Sequence, residues 1–249
     1  MRSLLFAANW KMHVGPAAAR EYVDQFLAAY TPQAGRRVWF FPPATTLHTV
    51  AQEIAGREDL AAGAQDVHWE PKGAFTGEIS VPLAVAAGAR AALVGHSERR
   101  HVFGETDAET GLKVRAVLGG GLVPVLCVGE KLEQREAGET LGVVQRQLAG
   151  GLEGLEPEAL RKVIIAYEPV WAIGTGKNAT PRDAAAVHAD IRAWLKQRGA
   201  TSPAILYGGS VNPKNIAELL AERELDGVLV GGASLEAATW LQLVSTPVP

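Results

Sequence analysis

Short apolar runs recur along the chain, separated by longer stretches in which apolar residues return every three or four positions. The runs are 4–9 (LLFAAN), 37–41 (RVWFF), 60–64 (LAAGA), 91–95 (AALVG), 123–129 (VPVLCVG), 163–168 (VIIAYE), 204–209 (AILYGG) and 227–232 (GVLVGG). Several lack a polar alternate face. A strand with one face in water keeps every second residue polar, so these runs read as parallel strands covered on both sides. The clearest helical stretch is 181–198. Thr180 can cap it, Pro181 suits the first helical position and Asp183 favours the first turn. Ala184, Val187, Ile191, Trp194 and Leu195 then form one apolar stripe, and Gly199 ends it. Residues 16–30 and 106–118 carry weaker versions of the pattern, and several other helices are expected to be short and poorly bounded.

Eight strand-like runs alternating with helices predict an α/β fold, a (β/α)₈ TIM barrel formed as a single domain over 1–249. A doubly wound sheet is the structural rival. The length of 249 residues suits either, and no Pro/Gly/Ser-rich linker or shift of composition divides the chain.

Composition narrows the partners. The chain is 47% hydrophobic, enough for a substantial core. With 24 basic and 27 acidic residues and a net charge of -3, it has no basic block, so nucleic acid is not an expected partner. A small anionic substrate stays compatible, because local charge can oppose net charge. Cys127 is the only cysteine, which excludes an intramolecular disulfide and a cysteine-rich metal site and suits a reducing cytoplasm. Leu4 to Ala8 is too short for a signal-peptide core. The uncharged run Ala116 to Gly129, interrupted by three glycines and a proline, falls short of a membrane span. The expected setting is cytoplasmic, away from membranes.

The chemically distinctive residues follow the apolar runs. Asn9 and Lys11 follow the first, His96 the fourth and Glu168 the sixth, while Gly209-Ser210 and Gly231-Gly232 close the last two. A closed barrel gathers the loops after its strands on one face and makes these residues neighbours. Each has a plainer explanation alone: Lys11 as a solvated lysine, His96 as a satisfied helix-start histidine, Glu168 as a strand-end charge before Pro169. Cys127, with apolar flanks, reads as a small buried residue. The glycine pairs can offer backbone N–H groups to an anion, and they can equally serve tight turns that need φ > 0.

Seven stretches carry a resemblance that runs from end to end: NWKMH (9–13), GAQDVHWEPKGAFTGEIS (63–80), VGHSERRHVFGE (94–105), PVLCVGE (124–130), AYEPVWAIGTGK (166–177), YGGSVNP (207–213) and GVLVGGASL (227–235). In order and spacing the chain resembles the triosephosphate isomerase family. The resemblance implies interconversion of dihydroxyacetone phosphate and glyceraldehyde 3-phosphate through an enediolate, with no cofactor and no metal. Residue by residue it implies Glu168 as base, His96 as the group at the oxygens, Lys11 as the stabilising cation and Asn9 beside it, with Glu98 next to the lysine and Cys127 in a supporting place. It implies a phosphate held near Gly174, Ser210, Gly231 and Gly232, and a lid at 169–179 that excludes water. It implies a neutral His96 facing a short helix that starts at Ser97. It implies a homodimer in which the loop 64–80 enters the partner and brings Thr76 to the neighbouring site.

Three positions depart from the family pattern. Ala8 stands where Gly is usual, Lys177-Asn178-Ala179 where Lys-Thr-Ala is common, and Leu235-Glu236 where Leu-Lys is frequent. None removes a catalytic group. Two other readings are a different phosphate-binding barrel enzyme, acting on a sugar or indole phosphate, and a non-catalytic scaffold on the same fold.

Overall fold

The computed structural model describes residues 3–173 and 179–247. Eight parallel strands close into a barrel in chain order, each hydrogen-bonded to the next and the last to the first. They are β1 (Leu4–Asn9), β2 (Arg36–Phe41), β3 (Leu60–Ala64), β4 (Ala91–Val94), β5 (Val123–Val128), β6 (Ile164–Tyr167), β7 (Ile205–Tyr207) and β8 (Gly227–Val230). Closure excludes the doubly wound rival, because an open sheet leaves its first and last strands unpaired with each other.

The apolar runs have no polar face because alternate residues enter two different cores. Leu5, Ala7, Phe41, Leu93, Val125, Cys127, Ala166, Leu206 and Leu229 fill the barrel interior. Their neighbours Phe6, Ala8, Phe40, Val94, Leu126, Ile165, Tyr207 and Val230 point outward and pack under the helices. Gly63 faces inward beside Phe41, where an added Cβ would overlap the phenyl ring. A full barrel interior is a packed core and leaves no pore.

Two of the longer helices begin at reciprocal caps. Thr180 Oγ1 accepts from Asp183 N at 3.1 Å, and Asp183 Oδ2 accepts from Thr180 N at 3.3 Å, so each satisfies an otherwise unpaired donor at the start of helix Pro181–Gln197. The predicted stripe is buried, with His188 added to it, and Gly199 follows the helix at φ +76°. Thr106 and Glu109 make the same reciprocal pair before helix Asp107–Gly119. The first helix runs Pro16–Ala29. Short helices such as Ser97–Val102 and Ile216–Ala221 match the weak periodicity of their segments.

Strand ends differ from the apolar runs by a residue or two. β6 stops at Tyr167, β7 at Tyr207 and β8 at Val230, so Glu168 and the glycine pairs lie just past the ladder. Among the described residues, no helix is long and apolar enough to cross a membrane.

Candidate active site

At the carboxyl ends of the strands a cavity of about 240 Å³ opens, lined by Asn9, Lys11, His96, Glu168, Ser210, Gly231 and Gly232 among others. The barrel thus brings together groups that stand more than two hundred residues apart in the chain. Gly174 lies outside the described residues, as do residues 174–178 of the lid expected over 169–179. Thr76 is exposed and does not line this cavity. Cys127 points into the barrel core below, where burial pushes its thiol pKa well up.

Glu168 is almost fully buried. Its Oε1 lies 3.0 Å from His96 Nε2, and its Oε2 accepts the backbone N–H of Ser97 at 2.8 Å. Burial pushes the Glu168 pKa up, but the imidazole and the Ser97 N–H stabilise the charged form and hold it below the ordinary carboxylate range.

His96 caps helix Ser97–Val102, and its Nδ1 accepts from Glu98 N at 3.2 Å. Burial disfavours a charged ring, while the facing Glu168 carboxylate favours it and carries the net direction upward. The Nδ1 lone pair is occupied by the Glu98 N–H, so the only nitrogen able to take a second proton is engaged as an acceptor. With Nδ1 accepting from Glu98 N, Nε2 is the nitrogen that carries the proton donated to Glu168.

Gly95, one residue past β4, turns the chain through φ +70° and aims His96 at the cavity. Its two backbone groups are clamped: Glu105 Oε1 accepts Gly95 N at 3.0 Å, and Arg100 Nε donates to Gly95 O at 2.8 Å.

Lys11 has φ +49°, a left-handed conformation that costs a non-glycine residue roughly 1–2 kcal/mol. Three bonds stabilise the turn. Asn9 Oδ1 accepts Lys11 N at 3.0 Å, and Gln65 Nε2 donates to the carbonyls of Lys11 and Phe41, each at 2.8 Å. The ammonium then reaches Glu98 at 2.5 Å on the cavity rim.

Positive φ does not explain the glycines after β7 and β8. None of Gly208, Gly209, Gly231 and Gly232 is among the positive-φ glycines. What most of them lack is room. A Cβ on Gly208 would lie 2.8 Å from Glu168 Cγ, and one on Gly231 would lie 3.1 Å from Lys11 Cε. A Cβ on Gly209 would overlap the Tyr207 hydroxyl. Glycine here lets the backbone close on the two charged side chains.

A family model described as triosephosphate isomerase matches residues 4–246. The chain belongs to the triosephosphate isomerase family. A triosephosphate isomerase from Roseiflexus sp. (strain RS-1) is 48% identical over 248 residues, covering 98% of this chain and 97% of the relative. The Thermus thermophilus triosephosphate isomerase is 48% identical, with 98% of each chain covered. That of Aquifex aeolicus is 45% identical over 96% of this chain and 98% of its own length. Membership of the triosephosphate isomerase family makes this chain an enzyme, and an isomerase.

Several groups in this site leave no mark in the sequence. Ser97 acts through its backbone, and Gln65 and Glu105 act on residues in other loops. A polar residue that folds to near-complete burial, such as Glu105, is the closest thing to a signal, and burial is not readable from the local pattern.

Proposed function

We propose that Glu168, His96, Lys11 and Asn9 carry the aldose–ketose isomerisation of this family on a triose phosphate. The observation that carries the reading is the contact between Glu168 Oε1 and His96 Nε2, 3.0 Å apart in a cavity that Lys11 also lines. Moving a proton between adjacent carbons takes a base over the carbons, a donor at the oxygens and a positive charge for the enediolate. Glu168 supplies the first, the Nε2–H of His96 the second and Lys11 the third. Asn9 holds Lys11 in its turn and lines the oxygen side. Glu98 keeps the ammonium on the rim until substrate arrives.

The 3.0 Å contact leaves no room for substrate between base and imidazole. Glu168 must release His96 and the Ser97 N–H to reach a carbon. Once it turns away, the charge that raises the His96 pKa is withdrawn and burial favours the neutral ring. Backbone N–H groups around Ser210, Gly231 and Gly232 would take the phosphate, with Gly174 as a further donor from the lid 169–179. A cavity of about 240 Å³ favours a three-carbon phosphate over a larger sugar. Neither cofactor nor metal is needed for this chemistry.

The same reading includes one domain over 1–249, a cytoplasmic setting and a homodimer. Its support for the dimer is the exposure of Met12 (95%), Val102 (72%) and Phe103 (67%), large apolar side chains that water would otherwise cover. In the loop 64–80, His68 stacks on Trp69 and also contacts Phe75. A preorganised loop of this kind could enter a partner and bring Thr76 to its site.

The test is a coupled assay of the whole chain on glyceraldehyde 3-phosphate, with and without a phosphate-bearing enediolate mimic. Turnover abolished by the mimic is expected. Absence of both turnover and mimic binding would leave a scaffold as the reading.

A further inference from the structure

Helix Thr140–Leu152 turns an apolar face inward, with Val143, Val144, Leu148 and Leu152 buried. Gln147 is buried on the same face. Sinking a primary amide among such neighbours costs free energy unless both its ends are hydrogen-bonded. Here both are spent on one residue. Gly129 N donates to Gln147 Oε1 at 2.7 Å, and Gln147 Nε2 donates to Gly129 O at 3.1 Å.

Gly129 is the first residue past β5. On either side of it the chain stays paired with the segment carrying Glu168: Glu168 N donates to Val128 O at 2.8 Å, and Val170 N donates to Glu130 O at 3.0 Å. In a parallel pairing the intervening residue turns its own N–H and C=O the other way. No strand waits there, so the amide of Gln147 takes the place of one. Toward Glu168, Gly129 is so close that an added Cβ would overlap the Glu168 carbonyl. Gln147 thus fixes a backbone plane against which the main chain of Glu168 rests.

The geometry points to Gln147 as a positioning residue for Glu168, acting through Gly129. It sets how far the carboxylate stands from the carbons. It touches neither the cavity nor the phosphate-side glycines. Because a misplacement of about 1 Å can cost 10²-fold in rate, a small shift at Gly129 is enough to register. The inference rests on Glu168 being the base proposed above.

The test compares Gln147→Glu and Gln147→Leu with the parent, and runs Glu168→Ala alongside. Gln147→Glu keeps the volume and still accepts from Gly129 N. Ionised, it sets a second acceptor against Gly129 O. Protonated, it donates there as the amide does. At pH 8 the expected result is kcat lower by about tenfold or more, with KM and inhibition by inorganic phosphate within about twofold of the parent. As pH falls toward 5, the ratio of Gln147→Glu to parent kcat should climb, while that of Gln147→Leu stays flat. A folded Gln147→Glu with parental kcat throughout would overturn the proposal. So would equal losses in kcat, KM and phosphate affinity with a flat pH ratio, the mark of a general structural role. If Glu168→Ala also turns over normally, the assignment of the base fails first, and the two failures are told apart.

Discussion

Glu168 has a fixed address and two partners, one on each carboxylate oxygen. Burial pushes its pKa up and so works against the charged base, and His96 and the Ser97 N–H reverse that direction. Replacing it by Ala removes the carboxylate and leaves the His96 Nε2–H without its acceptor. General acid–base groups contribute about 10²–10⁴-fold, so kcat of Glu168→Ala should fall by at least that range, with the far-ultraviolet circular dichroism spectrum unchanged. Turnover near that of the parent would remove Glu168 from the site. His188 makes a different kind of prediction. Its Nδ1 lies 3.2 Å from the Glu224 carbonyl, its ring meets Tyr167 edge-on, and burial lowers its pKa to about 3. The unfolded chain takes up a proton near pH 6.5 where the folded chain does not, so stability must fall as pH drops below about 6.5 toward 3. One proton accounts for up to about 1.4 kcal/mol per pH unit. Urea melts between pH 7 and 5 should show a shallower slope for His188→Asn, which retains a donor for the Glu224 carbonyl. Equal slopes would mean that His188 takes up a proton in the folded state.

The elements differ in how firmly they are bounded. Helix Pro181–Gln197 has a reciprocal cap, a proline start, a basic last turn and a continuous stripe, and its sequence announced the Thr180 cap, the proline and the stripe. Its first residues follow directly on position 179, where the proposed lid ends. Thr180→Ala removes the hydroxyl that accepts Asp183 N and frees Asp183 from Thr180 Oγ1. The expected cost is about 1 kcal/mol, or about 2–4 °C in Tm for a chain of this size, read by calorimetry at fixed protein concentration. An unchanged Tm would mean that packing alone holds the helix start. The strand ends were less legible. The ladder of β7 covers only Ile205–Tyr207, and the glycines beyond it are required by the approach of Glu168 and Tyr207. Turn chemistry was one explanation the pattern allowed, and close packing was the one realised.

The whole barrel ties its catalytic face to its exposed apolar face. Met12 follows Lys11 directly, so the turn that holds the ammonium also presents a side chain that is 95% exposed. If copies pair through Met12 and Phe103, pairing braces the Lys11 turn. The parent is expected to sediment as two chains, and Phe103→Glu as one. Its kcat should fall by about tenfold or more, since loosening a positioned charge is costly. A monomeric variant with parental kcat would separate assembly from catalysis, and a dimeric variant would place the interface elsewhere.

Apolar spacing carried the alternation of strand and helix, and the caps carried the bounds of the best helices, because both signals lie within a few residues of the element they mark. The positions of Asn9, Lys11, His96 and Glu168 after apolar runs carried the candidate site, since barrel closure makes neighbours of all such loops. The partners that tune each group were not legible. The Ser97 N–H reaches Glu168 across 71 residues, Gln65 supports Lys11 across 54, and Gln147 meets Gly129 across 18. Such contacts arise only when separate elements fold against one another, and the local pattern of a chain records nothing of what will come to lie beside it.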